Sequence, residues 1–405
     1  MKSWQTCFAA LLVGQTLAMI GFGISGPILP LFLEEDLGIT DPVRLKTWVG
    51  FIHSSSAITL AIFAPIWGNL ADYFSRRAML LRAMFGGGII FALTAFVTSP
   101  AQFLVLKIIQ GCLIGTVAAA TVLTIAIAPA AQVAFALGLL QTMIALGNSL
   151  GPFIGGVLGD FIGYRAAFFS TGVLLALAGL TVLLFVESDK KPDAPDVPKK
   201  KFSIIPDFSP IKASPIIFFM MLINFGKNTG ISIAMPMLPL FVRELLMITA
   251  EGPVMVASST GIVMGAGAAS SAIAAVLVGK FSTRLGYWKT LIFCLIAAAI
   301  ALLAQGFVTN ISQLIVLRIF SSFFIGGATP VLNAILAVSS NKETQGTVFG
   351  VNTSVAASGS ALGPILGSFA AIMSFRAVFL MSALVFSISA AGTILLHKKT
   401  STKEA

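Results

Sequence analysis

The chain is short of charge. Asp, Glu, Lys and Arg make up 10% of its 405 residues and 57% are hydrophobic, whereas an ordinary soluble domain carries about 25% charged residues. That deficit excludes a water-soluble globular domain and points to an integral membrane protein. Histidine is almost missing, His53 and His397 being the two in the sequence. No His, Cys and Asp stand at ligand or nucleophile–base spacing, so an integral-membrane enzyme such as an acyltransferase has nothing to work with, and no metal or cofactor is expected. Cys7, Cys112 and Cys294 are odd in number, far apart and set in apolar segments, which excludes a disulfide framework. The shortage of acids in the membrane matters most. All fifteen Asp and Glu fall at predicted helix ends or in loops, so none is available in mid-membrane to carry a proton or attract a lipophilic cation.

What is abundant is long apolar runs. A span needs about 20 such residues, and runs of that kind predict helices near 8–33, 46–71, 79–98, 102–128, 134–158 and 166–187, then 214–242, 254–279, 289–308, 313–337, 347–372 and 377–397. The first run is too long for the apolar core of a cleaved leader and is read as a helix that stays on the protein. An all-α integral membrane protein of twelve helices follows, in two sets of six: a bundle over 1–187, a linker over 188–213 and a second bundle over 214–405. The linker, rich in Pro, Lys and Asp, cannot bury apolar surface. Lys and Arg crowd the linker, the predicted ends and alternate loops, which puts both termini and the linker on the cytoplasmic side of a bacterial inner membrane. The net charge of +10 is explained by that asymmetry without a nucleic-acid partner.

The halves repeat each other. Pro27 and Pro30 answer to Pro236 and Pro239, Gly68 to Gly279, Lys107 to Arg318, Gly151-Pro152 to Gly363-Pro364, and Arg165 to Arg376, all at offsets between 209 and 212 residues. A tandem duplication of a six-helix unit is the simplest source of such a register.

On these motifs the chain resembles the major facilitator superfamily, and within it the twelve-helix drug:proton antiporter branch. The family's loop motif after helix 2, G-x-L-A-D-R-x-G-R-R/K, is met by Gly68, Leu70, Ala71, Asp72, Arg76 and Arg77, with Tyr73 and Ser75 departing from it. The antiporter motif of helix 5, G-x-x-x-G-P-x-x-G-G, is complete as Gly147, Gly151, Pro152, Gly155 and Gly156. Helix 4 carries Lys107, Gln110 and Gly111 in place of R-x-x-Q-G. The resemblance implies two pseudo-symmetric six-helix bundles rocking about a central site, export of small organic compounds against protons, function as a monomer, and a conformational latch at Gly68, Asp72, Arg76 and Arg77. An importer or uniporter of a sugar, organic anion or other metabolite is the rival within transport. A non-transporting membrane sensor is the rival outside it, and lacks turnover.

Residue by residue, two readings stay open for the helix 5 glycines. Gly147, Gly151 and Gly155 line one face and let a backbone approach closely, as small residues do in membranes. They serve either tight packing or a sliding contact between the bundles, with a partner around Gly359, Gly363, Pro364 and Gly367. Charges inside spans cost about 2.5–3.5 kcal/mol and point to function. These are Lys107, Lys227 and Arg318, of which Lys107 and Arg318 lie near enough to helix ends to snorkel outward. Asn224, Lys227 and Asn228 share one face at i, i+3, i+4 and are expected to look into a cavity and contact substrate. Gln15, His53, Gln141 and Asn352 join them as weaker cavity candidates. Histidine titrates near neutrality, so His53, with Lys107, Lys227 and Arg318, forms the proton-coupling set, and the acids Glu34 to Asp36 at the outer mouth are a further option. A basic pocket without acids favours neutral or anionic cargo over cations.

Overall fold

A computed structural model describes residues 4–71, 75–187, 214–249, 254–340 and 345–404. The predicted linker 188–213 and Asp72 lie outside the described residues. The bilayer leaves a backbone no partner except itself, so the apolar runs are helices. Twelve long ones follow in order: α1 Trp4–Asp36, α2 Pro42–Ala71, α3 Arg76–Thr94, α4 Pro100–Ile127, α5 Val133–Ile162, α6 Tyr164–Phe185, α7 Pro215–Ile248, α8 Val256–Leu285, α9 Tyr287–Gln305, α10 Ile311–Ser339, α11 Gln345–Met373 and α12 Phe375–Glu404. Eleven of them are long and apolar enough to cross a membrane among the described residues, and α2, of 30 residues, packs between α4 and α11.

Helix ends depart from the hydropathy edges because a helix runs on until a turn residue stops it. Thus α8 continues to Leu285 and α5 to Ile162, each ended by a glycine at φ 87°, Gly286 and Gly163. That backbone shape disfavours any side chain. The run predicted as continuous over 102–128 is broken at Ile114–Gly115, Gly115 having φ 142°. Starts are more regular. Ser99 caps α4 by accepting from Gln102 N at 3.3 Å, and Asn310, its counterpart 211 residues on, caps α10 by accepting from Gln313 N at 2.9 Å.

Packing repeats as faithfully as the sequence. In the first half α1 lies against α5 and α6, α3 against α6 and α4, and α2 against α4. In the second, α7 lies against α11 and α12, α9 against α12 and α10, and α8 against α10. The bundles meet along two seams related in the same way, α5 on α8 and α2 on α11. One apolar core lies within the second bundle, and another, built in the first bundle around Phe32, Phe103 and Phe168 with ring centroids 5.0–5.7 Å apart, runs across to Phe241, Ala257 and Phe379 of the second.

The seams are closed at one end of the molecule and parted at the other. A Cβ at residue 50 of α2 would lie 2.6 Å from Ser368 Cβ, and one at residue 265 of α8 would lie 2.7 Å from Ser149 O. A Cβ on Gly138 of α5 or Gly350 of α11 would meet nothing within 4 Å. Both open glycines sit toward the helix ends opposite the 36–42 turn.

Candidate functional site

The polar face predicted on α7 is assembled by its neighbours. Helix α7 is squeezed between two partners through small residues: Gly359 and Gly363 of α11 fit against Phe225, Thr229 and Ser232, while Gly226 and Gly230 fit against Ser389 and Phe386 of α12. With those flanks taken, Asn224, Lys227 and Asn228 turn toward α10 and α11. Asn224 Nδ2 donates to Asn352 Oδ1 at 2.9 Å, and Asn228 Nδ2 donates to Asn224 O at 2.8 Å and to its Oδ1 at 3.0 Å. Lys227 Nζ donates to Thr329 Oγ1 at 2.8 Å. Lys227 is only 4% exposed, and none of the ion pairs among the described residues involves it. An ammonium has three donors, so among the described residues this buried cation has one hydrogen-bond partner, Thr329, and no counter-ion. Thr329, which the sequence did not single out, is exposed. So is Gln141 on α5, in the same half of the molecule as the open glycines. The Thr329 hydroxyl is paired within the bundle, accepting from Lys227 and donating to Ile325 O at 3.5 Å, whereas hydrocarbon would leave the exposed Gln141 amide unpaired, so Gln141 and the open glycines point to a wetted cleft between the bundles with Lys227 behind Thr329. The cavities of about 430 Å³ at the closed end and about 440 Å³ between α9 and α12 lie elsewhere.

The first bundle holds the remaining polar candidates. Gln15, the repeat counterpart of Asn224, is fully buried and donates to Thr116 Oγ1 at 3.5 Å, leaving Oε1 without a partner. Gln141, the counterpart of Asn352, does not share its bond and is exposed instead. His53 is half-buried with its Nε2 unpartnered and lies within electrostatic range of Lys107. Snorkelling does not describe Lys107 or Arg318, since each is 7% exposed. The Lys107 ammonium rests 4.9 Å from the Phe91 ring centroid and 5.7 Å from that of Phe103, a contact that partly replaces lost hydration. Arg318 donates to Met235 Sδ and leaves Nε without a partner. The equivalent positions therefore carry equivalent buried cations, Lys107 on aromatic faces and Arg318 on sulfur.

The helix 5 glycines take the packing role. A Cβ at residue 151 would lie 2.7 Å from Ile20 O and 2.8 Å from Gly23 Cα, and one at residue 147 would lie 2.5 Å from Met19 Cβ, so the stripe seats α5 on α1 inside its own bundle. The stripe at Gly359, Gly363 and Gly367 seats α11 on α7 in the same way. The expected sliding pair of α5 with α11 is thus corrected: the two stripes face different helices. Between the bundles it is Gly156 and Pro152 that touch α8, where a Cβ at residue 156 would lie 2.8 Å from Ser258 Cα and one at residue 261 would lie 3.1 Å from Phe153 Cα. The partners on α8, Gly261 and Gly265, stand four apart, a small-xxx-small pattern legible in the sequence.

At the residues predicted to form a latch, Gly68 lies in the last turns of α2 and Ser75 caps α3, accepting from Ala78 N at 3.3 Å. Arg77 donates to Leu183 O at the end of α6, and Arg76 begins α3.

Against known proteins, the model of the Major Facilitator Superfamily matches residues 11–303 and 229–405. The multidrug resistance protein MdtG of Enterobacter lignolyticus is 33% identical over 399 residues, covering 98% of this chain and 94% of that one. The protein of the same name from Proteus mirabilis is 31% identical, covering 95% and 94%. Among solved structures, the nucleoside transporter NupG superimposes with a TM-score of 0.79 at 16% identity, covering 97% and 99%. A bacterial homologue of the human lysosomal transporter Spinster, in an inward-facing unoccupied conformation, superimposes with a TM-score of 0.80 at 15% identity, covering 98% and 97%.

Proposed function

The chain belongs to the major facilitator superfamily, and from that premise we propose that it is a proton-driven efflux pump that expels small organic anions by alternating access. The relatives named for multidrug resistance support export, at 31–33% identity over nearly the full chain. The observation that carries the substrate class is Lys227, a cation 4% exposed with no carboxylate paired to it among the described residues. Such a charge is costly in a membrane, and a bound anion would repay it. Asn224, Asn228, Thr329 and Asn352 supply donors and acceptors for the rest of the ligand, and His53 and Gln141 form the facing wall, with Gln15 buried behind it on Thr116. His53 and Lys107 are the coupling pair, with Arg318 in the second bundle.

The working units are residues 1–187 and 214–405, joined by the linker 188–213. With both termini cytoplasmic, the closed end is the outer one and the cleft opens inward, ready to load cargo from the cell. Each chain carries a whole pathway, so it works as a monomer.

The test is transport into inverted membrane vesicles with and without an imposed pH gradient, across anionic, neutral and cationic compounds. Anionic compounds should accumulate with the gradient and stop accumulating with a protonophore. Preferential transport of a cation such as ethidium, or anion uptake indifferent to the gradient, refutes the proposal.

A further inference from the structure

The closed end is held by something more specific than packed glycines. Helix α8 starts without a cap of its own, for Met255 at its N-cap offers no side-chain acceptor. The first N–H groups of a helix need partners, normally from a Ser, Thr, Asp or Asn at that position. Here they find one in the other bundle. Asp160, in the last turn of α5, accepts from Ala257 N through Oδ1 at 3.2 Å and from Ser258 N through Oδ2 at 2.7 Å, placing a carboxylate at the positive end of α8. The second seam mirrors this with the sign reversed. Lys46 of α2 donates from Nζ to Ala371 O at 2.7 Å in the final turn of α11, placing an ammonium at the negative end of that helix. Ser368 Oγ returns a bond to Lys46 O at 2.7 Å. Asp160 and Ala371 occupy equivalent places in the repeat, 211 residues apart. One reaches out with a charge and the other receives one.

We propose that Asp160 and Lys46 are gating residues of the transport cycle, two charge-to-helix-end clasps that hold the bundles together at the closed end and set how often it opens. The inference rests on the rocking of the bundles argued above. Each clasp must break when the seam parts, leaving the α8 donors and the α11 carbonyl to water, so weakening a clasp shifts the balance toward the conformation open at that end.

The experiment places spin labels at Phe161→Cys and Met373→Cys, exposed by 68% and 82% on α5 and α11, after Cys7, Cys112 and Cys294 are changed to Ser, and measures the distance between the labels in proteoliposomes. Asp160→Ala should raise the ratio of long to short distances about fivefold, the equivalent of about 1 kcal/mol at 1.4 kcal/mol per tenfold. Lys46→Met should act similarly, the double variant should multiply the two effects, and Asp160→Asn, which keeps one acceptor, should shift the ratio less than Asp160→Ala. The control is Asp41→Ala, which removes a contact of the same kind within one helix start, Asp41 Oδ1 accepting from Val43 N at 2.9 Å. It should leave the ratio alone. Unchanged ratios in both clasp variants, or an equal shift in the control, overturn the proposal while rocking stands. A single distance in the parent protein that neither substrate nor pH gradient alters overturns the rocking itself.

Discussion

Changing Lys227 to Met separates a binding role from a structural one, because the two predict opposite changes in stability. Holding a charge at a helix centre costs about 2.5–3.5 kcal/mol. The bond to Thr329 Oγ1 at 2.8 Å returns about 1.5–3 kcal/mol, the range for hydrogen bonds to charged groups. Thr329 is exposed, so losing its donor leaves it to water at little cost. The variant should therefore melt in detergent at the parent temperature or above it. Transport should suffer nonetheless. A substrate anion on the ammonium loses a charge-assisted bond of about 1.5–3 kcal/mol, which raises KM for anionic compounds about 10- to 150-fold, while kcat changes less if the contact is made equally in ground and transition states. Lys227→Arg keeps the charge and should lose less, and neutral compounds should hardly notice either change. The assay is initial-rate transport in inverted vesicles beside thermal unfolding of the purified protein. A lower melting temperature with an unchanged KM for anions would make Lys227 a strut of the bundle and refute the reasoning.

Other substitutions probe the remaining contacts. Gly151→Leu should destabilise the first bundle by about 1–3 kcal/mol through overpacking against Ile20 and Gly23, read as a lower melting temperature, whereas Gly138→Leu has open space and should melt as the parent does. Asn352→Ala strands Asn224 Nδ2 and should cost about 1–3 kcal/mol. The double Asn224→Ala, Asn352→Ala should cost less than the sum of the singles, and strictly additive losses would show that the pair is not coupled. His53→Ala or Lys107→Met should abolish gradient-driven accumulation and spare downhill counterflow of a labelled substrate. Loss of both activities together would remove the pair from coupling and place it in binding.

Much of the fold was legible because membrane burial and duplication both write themselves along the chain. A run such as 8–33 needs only its length and lack of charge to be read as a span, and the register of Pro27 with Pro236 or Lys107 with Arg318 needs only counting. The packing partners were not legible. Gly151 and Gly363 carry the same signal of close approach, and nothing along the chain states that one meets Gly23 and the other Ser232. Nor could linear reading find Thr329, whose hydroxyl matters only because α10 brings it to Lys227, or Asp160, which reads as one more acid at a helix end until α8 is placed opposite it. The face at Asn224, Lys227 and Asn228 was readable because helical spacing joins residues three and four apart without help from any other element.

The repeat also explains where the asymmetry sits. Glu34 and Arg243 are counterparts in α1 and α7, 209 residues apart, and they form an ion pair with each other across the axis that relates the halves. Identical residues at the two places would set like charges face to face, whereas opposite ones attract. A difference between the copies also separates Gln15 from Asn224 and Gln141 from Asn352. In the second bundle the two amides bond each other beside Lys227, and in the first they part, one buried on Thr116 and one exposed. A buried cation on the polar faces of α1 and α7 alike would have doubled the insertion cost and set two ammonium groups against one another whenever the cleft closed. With Lys227 on α7 and Ala18 at the equivalent place on α1, the anion proposed above would meet a single ammonium across the α1–α7 axis, which is the condition a rocking exporter needs to shut behind its cargo.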